Sequence, residues 1–351
     1  MTAAKDAKLP KRRPRSRTPV GTTTLAEVAR AADVSEATVS RVINRKYGVS
    51  PATRQAVEEA LRQVGYERPL DNRLVLMLTP NLKNPIFAQQ AERVENELNP
   101  YGLTSIICPV YPGTPRERDY VESLVDAGVA AIVFLSSSNT LRDEDHPVVQ
   151  FVESRGIPYV SINGGFPESA APVVSTDDRR AAELAVGHLY DLGHRRIGLL
   201  AGPTGNLPAD RRVEGFRQAL ERRGLDPETA VARAQFNVEG GQQAAAALLA
   251  RDTTGIVASS DEMAFGAYRA AERVGLRVPA DVSVVGYDDS PVLDFIGPPL
   301  TTVRQPIERI AENIGRLVTA LIANRPVSND EILVEPELRV RASTAPAPGR
   351  G

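Results

Sequence analysis

The chain has 351 residues, 42% of them apolar and 25% charged, with a formal net charge of −2, three histidines and one cysteine. That length exceeds a single compact core and predicts two or three folded units, while the lack of any apolar run of roughly 20 residues or signal-peptide pattern predicts a cytoplasmic, non-membrane protein. The lone Cys108 rules out an internal disulfide and, inside the apolar run "TSIICPV", is expected as a buried strand residue.

The small net charge conceals an asymmetry: residues 1–68 carry a net +7 and the remainder −9. A basic head suits a polyanion, because each neutralised phosphate releases counterions, and an acidic body would be repelled from the same surface. Residues 1–21, with "KRRPRSR", are expected as a basic flexible extension that either follows phosphates or serves as a solvated tail.

Three short helices are expected within 22–68. In "TLAEVARAA", Thr24 and Glu27 form a capping-box pattern, and Leu25, Val28, Ala29 and Ala32 share one face. Ser35 caps a second helix with Val39, Val42 and Ile43 inward, and "SPATRQAVEEALRQVG" supplies Ser50 as cap, Pro51 at the first helical position, Val57, Ala60, Leu61 and Val64 inward, and Gly65 as terminator. The second helix, "VSEATVSRVIN", is short, small-faced and lightly charged. A helix lying in a DNA major groove about 12 Å wide needs that character, with hydrogen-bonding groups for phosphates and base edges. Glu36 and Ala37 open its exposed turn, Thr38 and Ser40 can donate to phosphates, and Arg41 can reach guanine acceptors or the backbone.

"TLAEVARAADVSEATVSRVIN" followed by "VSPATRQAVEEALRQVGY" resembles the DNA-binding head of the LacI family of bacterial transcription regulators. The resemblance implies a helix-turn-helix domain over 22–68, with Glu36 and Ala37 at the operator-discriminating positions and Thr24, Ser35, Thr38, Ser40, Arg41 and Asn44 completing the DNA-facing set. Within the family, "SEATVSRV" and "GYERP" resemble actinobacterial repressors of maltose utilisation.

Beyond Arg73, strand-like runs ("LVLML", "TSIICPV", "AAIVFLS", "PYVSIN", "RIGLLAG", "GIVASS", "VSVVGYDD") alternate with amphipathic stretches at 89–98, 116–127, 179–192, 211–223, 242–250 and 263–274. This alternation predicts an α/β body with parallel sheets and ligand groups at the carboxyl ends of the strands. The family resemblance continues through "NPIFA", "LGHRRIGLLAGP", "RRVEGF", "SSDEMAFGAYRAAERVGLRVPADVSVVGYDDSP" and "PPLTTVRQP". It implies a two-lobed fold like that of periplasmic binding proteins over 74–343. Lobe one would take about 74–175 and 305–325, lobe two about 176–304 and 326–343, and a flexible tail 344–351.

Carried over position by position, the resemblance places Arg212 on effector hydroxyls with Asp288 as its carboxylate partner, Asn163 in the first lobe, and Ile86 and Phe87 as an apolar wall. Phe236 is expected either to cover a sugar ring or to be core, and a structural ion pair is the alternative for Arg212 and Asp288. Ser260 stands where the family usually has an asparagine, with Asp261 retained and Glu262 either in the site or a solvated helix-start residue. Between head and body the usual hinge-helix segment is shorter by about ten residues, so 69–73 is a short linker and Leu70 the only apolar candidate for a minor-groove wedge.

The resulting expectation is a homodimeric repressor of sugar-utilisation genes, binding double-stranded operator DNA and a small sugar-like effector, with no cofactor, metal or catalytic residue. With the Pro- and Gly-rich "RASTAPAPGRG" after Val340, a tetramerising leucine-heptad tail is not expected. Two other classes stay open at this point. A transport-type sugar binder would lack the head, and a carbohydrate enzyme would need paired carboxylates such as Asp288, Asp289 or Glu262. His146, His188 and His194 are scattered, and His194 reads as a helix-to-strand turn residue.

Overall fold

The computed structural model describes residues 24–43, 48–64, 74–111, 114–143, 145–167, 169–228 and 230–349, and the chain divides into two units, Met1–Pro69 and Leu70–Gly351. The extension at 1–21, Asn44, Gly65 and the linker at 69–73 with Leu70 lie outside the described residues.

In the first unit, α1 (Leu25–Ala31), α2 (Glu36–Ile43) and α3 (Pro51–Gln63) surround a core of Val28, Ala29, Val39, Val42, Ile43, Val57 and Ala60. Local chemistry sets each start. Thr24 and Glu27 close a reciprocal capping box, the Ser35 hydroxyl accepts from the Thr38 amide at 3.1 Å, and Ser50 accepts from the Thr53 amide at 3.1 Å.

The second unit runs β1 (Leu74–Thr79), α4 (Pro85–Leu98), β2 (Thr104–Pro109), α5 (Pro115–Asp126), β3 (Ala131–Leu135), α6 (Pro147–Arg155), β4 (Tyr159–Ile162) and β5 (Val173–Thr176). It continues with α7 (Asp178–Asp191), β6 (Ile197–Ala201), α8 (Leu207–Glu221), β7 (Val231–Arg233), α9 (Val238–Leu249), β8 (Gly255–Ala258), α10 (Asp261–Arg273), β9 (Ser283–Asp288) and β10 (Thr301–Arg304). The chain ends with α11 (Ile307–Ile322), β11 (Ile332–Val334) and β12 (Glu337–Arg339).

Among the described residues two six-stranded sheets result, ordered β11-β5-β4-β3-β1-β2 and β12-β10-β9-β8-β6-β7, and every pair is parallel except β10 with β12. The chain therefore crosses between lobes three times: after Thr176, after Arg304 and after Val334. Both sheets are covered on two faces, which is why their strands read as continuous apolar runs. Val75 and Met77 of β1 pack with α4 and α11, while Leu76 and Leu78 pack on the other face with α5 and α6. In the second lobe, Leu199 and Ala201 join α7 and α8, and Leu200 joins α9 and α10. Each such buried side chain contributes about 1.5–3 kcal/mol. Cys108 is buried in β2, and burial pushes its thiol up.

Three expectations are corrected. Residues 326–334 do not belong to lobe two, because β11 pairs with β5 in the first sheet and Val334 joins that lobe's core. Residues 344–349 are not a loose tail: the Ala345 amide donates to the Ser283 hydroxyl at 3.0 Å and the Ala347 amide to the Leu192 carbonyl at 2.8 Å. The helices at 147–155 and 307–322, and the strands β5, β7, β10, β11 and β12, go beyond the elements expected from sequence.

Candidate functional site

Both sheets carry the same strand order through their first five strands, so each has a switch point, beside β1 in one lobe and β6 in the other, where a crevice opens at the carboxyl ends. Polar residues from those ends meet between the lobes. Asp288 ends β9 at φ 124° and is buried. Its carboxylate accepts from Asn84 Nδ2 of the first lobe at 3.2 Å and from Gln305 Nε2 at 2.7 Å. Gln305 Oε1 in turn accepts from Gln90 Nε2 and Thr176 Oγ1, both at 3.2 Å. Burial pushes Asp288 up to about 7, against the downward pull of the two amides and Arg212.

Asp261, 1% exposed at the start of α10, accepts from Thr302 Oγ1 at 2.7 Å and from the Ser290 amide at 2.9 Å. Burial and the neighbouring Asp288 hold it well above the usual carboxylate range. Its place depends on Gly286, where a Cβ would collide with Oδ1. Ser260 is the N-cap of α10, its hydroxyl accepting from the Met263 amide at 3.2 Å. Glu262 beside it is half-buried and raised by burial and Glu239, with Lys83 pulling it back.

Arg212 is 7% exposed on α8, but its carboxylate partner is Asp178, at 2.6 Å, and not Asp288. The reason is positional: Asp178 opens α7 against α8, whereas Asp288 is turned by its backbone toward Asn84 and Gln305. Tyr287 also donates to Asp178 Oδ1 at 3.1 Å, and the Arg212 guanidinium lies 4.4 Å from the Tyr287 ring centre and 5.9 Å from that of Phe236. Burial raises Asp178, with Arg212 and Tyr287 opposing it. Asp178 Oδ2 and Arg212 Nε are buried without a hydrogen-bond partner.

Phe236 is half-buried, its ring resting on Gly202, where any Cβ would overlap it. Asn163 Nδ2 donates to Ser136 Oγ at 3.0 Å and its Oδ1 accepts from the Thr176 amide at 3.2 Å, so it braces the ends of β3, β4 and β5. Phe87 is half-buried against the first lobe's core, and Ile86 beside it is 1% exposed. A second junction joins the lobes, where Leu141 and Asn206 form an antiparallel bridge and the Arg142 amide donates to the Gly205 carbonyl at 2.9 Å.

Asn84, Gln305, Thr176, Asp178 and Tyr287 escaped the sequence reading. Asn84 had a signal, an Asn-Pro pair opening a helix, and it is the N-cap of α4. Gln305 had none. In the head, Glu36, Ala37 and Arg41 are exposed on α2, Thr38 and Ser40 are half-buried, and the Thr38 and Ser35 hydroxyls share a 2.9 Å hydrogen bond.

Residues 24–69 match the family described as bacterial regulatory proteins, lacI family, and residues 186–344 match a periplasmic binding protein-like domain. The chain is 45% identical to the HTH-type transcriptional regulator MalR of Streptomyces coelicolor over 93% of this chain and 98% of that protein. The chain belongs to the LacI family. The ribose operon repressor of Halalkalibacterium halodurans is 32% identical over 92% of this chain and 97% of its own. Among solved structures, a transcriptional regulator CelR–cellobiose complex is 34% identical with a TM-score of 0.70, covering 92% of this chain and 99% of that one. The lac repressor dimer bound to operator and the anti-inducer ONPF is 27% identical with a TM-score of 0.68, covering 93% and 100%. This LacI-family chain is thus a DNA-binding transcription regulator and not an enzyme or a transport protein.

Proposed function

We propose that the protein is a cytoplasmic, homodimeric repressor of sugar-utilisation genes whose hold on a pseudopalindromic operator is set by a sugar in the cleft between its lobes. The observation that carries the reading is the cleft itself, where Asp288, two amides, the Arg212–Asp178 pair and the rings of Tyr287 and Phe236 adjoin one another. Sugars demand such a mixture, hydrogen-bonding groups for hydroxyls and aromatic faces for the apolar side of the ring. Arg212, Asp288 and Phe236 are assigned to the effector, with Ser260, Asn163 and Phe87 in support. The names of the relatives, MalR above all, favour a maltose-like oligosaccharide.

Glu36, Ala37 and Arg41 are assigned to base edges, and Thr24, Ser35, Thr38, Ser40 and Asn44 to the backbone. A second copy suits both a symmetric operator and the exposed apolar side chains Ile107, on the edge strand β2, and Tyr111, just after it, with Phe295 90% exposed in the other lobe. Coupling is a population shift between lobe arrangements worth about 1–3 kcal/mol.

The test is fluorescence anisotropy on an operator selected from random DNA, at fixed salt, with and without maltose, maltotriose, cellobiose and ribose. Sequence-specific binding that one sugar shifts by about 5–150-fold is expected. Arg41→Ala should cost about 1–3 kcal/mol of specific binding. Unchanged specific binding by that variant would remove α2 from the interface.

A further inference from the structure

We infer that the cleft selects uncharged sugars and rejects their phosphorylated or carboxylated forms, an inference that rests on the reading of the cleft as a sugar site. Arg212 and three arginines that pair beside it or beside Asp288 are already matched. Arg212 pairs with Asp178 at 2.6 Å, Arg211 with Glu331 at 2.6 Å, Arg233 with Asp210 at 2.7 Å, and Arg341 with Asp289 at 2.6 Å. Lys83, exposed on the loop between β1 and α4, sets its charge against Glu262.

The carboxylates are not matched in the same way. Asp288 is held by the amides of Asn84 and Gln305, and Asp261 by a backbone amide and a threonine hydroxyl. Neutral donors orient these groups in place of a directly paired cation, and Glu262 adds a third acid. An anion placed among them is repelled by whichever of these acids is ionised, and among buried groups that repulsion is screened least. The existing strain points the same way: Asp288 already raises Asp261, and Glu262 raises Asp288, so a further anion would require protons to be taken up.

The two orphaned atoms of the buried ion pair point to the ligand that does fit. Asp178 Oδ2 lacks a donor and Arg212 Nε lacks an acceptor. Sugar hydroxyls donate and accept at once and can satisfy both atoms. A phosphate dianion accepts only, so it would answer the arginine and repel the aspartate.

The full chain should be titrated with maltose, cellobiose and ribose and, in parallel, with maltose 6′-phosphate, cellobiose 6′-phosphate and ribose 5-phosphate, reading both calorimetric heat and operator anisotropy. Whichever neutral sugar acts, its phosphate should bind at least about 100-fold more weakly. In Glu262→Gln that gap should narrow several-fold; an unchanged gap would assign the discrimination to shape and overturn the charge argument. Equal or tighter binding of a phosphate overturns the inference while leaving the sugar-sensor reading in place. No response to any of the six compounds overturns that reading and this inference with it.

Discussion

Asp288 and Asp289 follow one another with φ of 124° and 63°, conformations that non-glycine residues adopt at a cost of about 1–3 kcal/mol each. Their surroundings hold them there: Gln305 and Asn84 bind one carboxylate, and Arg341 bonds the other while also donating to the Leu300 carbonyl. The result is a buried acid facing Asn84, Gln305, Arg212, Asp261 and Glu262, raised to about 7 mainly by burial. A carboxyl raised from 3.8 binds its proton more tightly when folded than unfolded, so its contribution to stability is fully present below pH 3.8 and lost as pH rises through about 7. Wild type should therefore lose stability relative to Asp288→Asn across pH 4–7, with a slope of at most about 1.4 kcal/mol per pH unit. Thermal unfolding of both proteins over that range checks it, and a pH-independent difference would show a carboxylate ionised throughout. Taking the difference between the two proteins matters because His188 and His194, both lowered by burial, titrate with the opposite sign.

At the scale of elements, what the sequence disclosed follows from how each element announces itself. The three helices of the head were legible because caps, turn and apolar spacing coincide within a few residues. The central strands were legible as apolar runs. Helices of the body were placed late by one to four residues, since Asn84, Asp177, Asn206, Asn237 and Ser260 act as N-caps and the helix starts directly after each. The missed strands β7, β11 and β12 are three residues long and form at sheet edges, where pairing rather than pattern makes the strand. In the candidate site, sequence paired Arg212 with Asp288; that Asp178 takes the arginine was not legible, because it depends on α7 lying beside α8. The Pro- and Gly-rich C-terminal stretch was misread because its order comes from partners far along the chain. His194, fully buried, uses Nε2 to donate to the Ala345 carbonyl at 3.1 Å, and its Nδ1 lies 3.0 Å from the Thr254 hydroxyl. Ser343, also fully buried, donates to the Val284 carbonyl, and the Val284 amide returns to the Ser343 carbonyl at 2.9 Å. Ending the chain at Val340 removes the His194–Ala345 bond, the two between Ser343 and Val284, and those of the Ala342, Ala345 and Ala347 amides, and these six should cost about 6 kcal/mol at roughly 1 kcal/mol each. Urea unfolding reads the loss, and a truncated chain as stable as wild type would restore the loose-tail description. The histidines supply a second signature. Their folded pKa values lie below 6.5, so their contribution is present above pH 6.5 and falls away as the solution is acidified, and truncation should blunt that fall.

At the scale of the whole molecule, an effector can influence DNA only if the lobes have distinct arrangements that it biases differently. The three crossings form the hinge, and they are fastened by a cluster outside the effector groups. Glu331, just before β11, accepts from both terminal nitrogens of Arg211 at 2.6 and 2.7 Å and from the Ser175 hydroxyl of β5 at 2.6 Å. Arg211 precedes Arg212 on α8, so the segment leading into β11, the first sheet and the helix bearing the proposed effector arginine are tied at one point. A bidentate pair fixes direction as well as distance, and this one is mostly shielded, with side-chain exposures of 14% and 27%, so salt weakens it less than a surface pair. Glu331→Gln keeps the shape and one acceptor but loses the charge that holds the fork. A looser hinge lets the lobes sample more arrangements, so the ratio of operator affinities with and without sugar should fall by about fivefold, near 1 kcal/mol of coupling. Linkage requires the same fall in the operator's effect on sugar affinity, which gives two independent measurements of one quantity. A variant that lowers the unfolding temperature while leaving both ratios unchanged would confine Arg211 and Glu331 to holding the fold together.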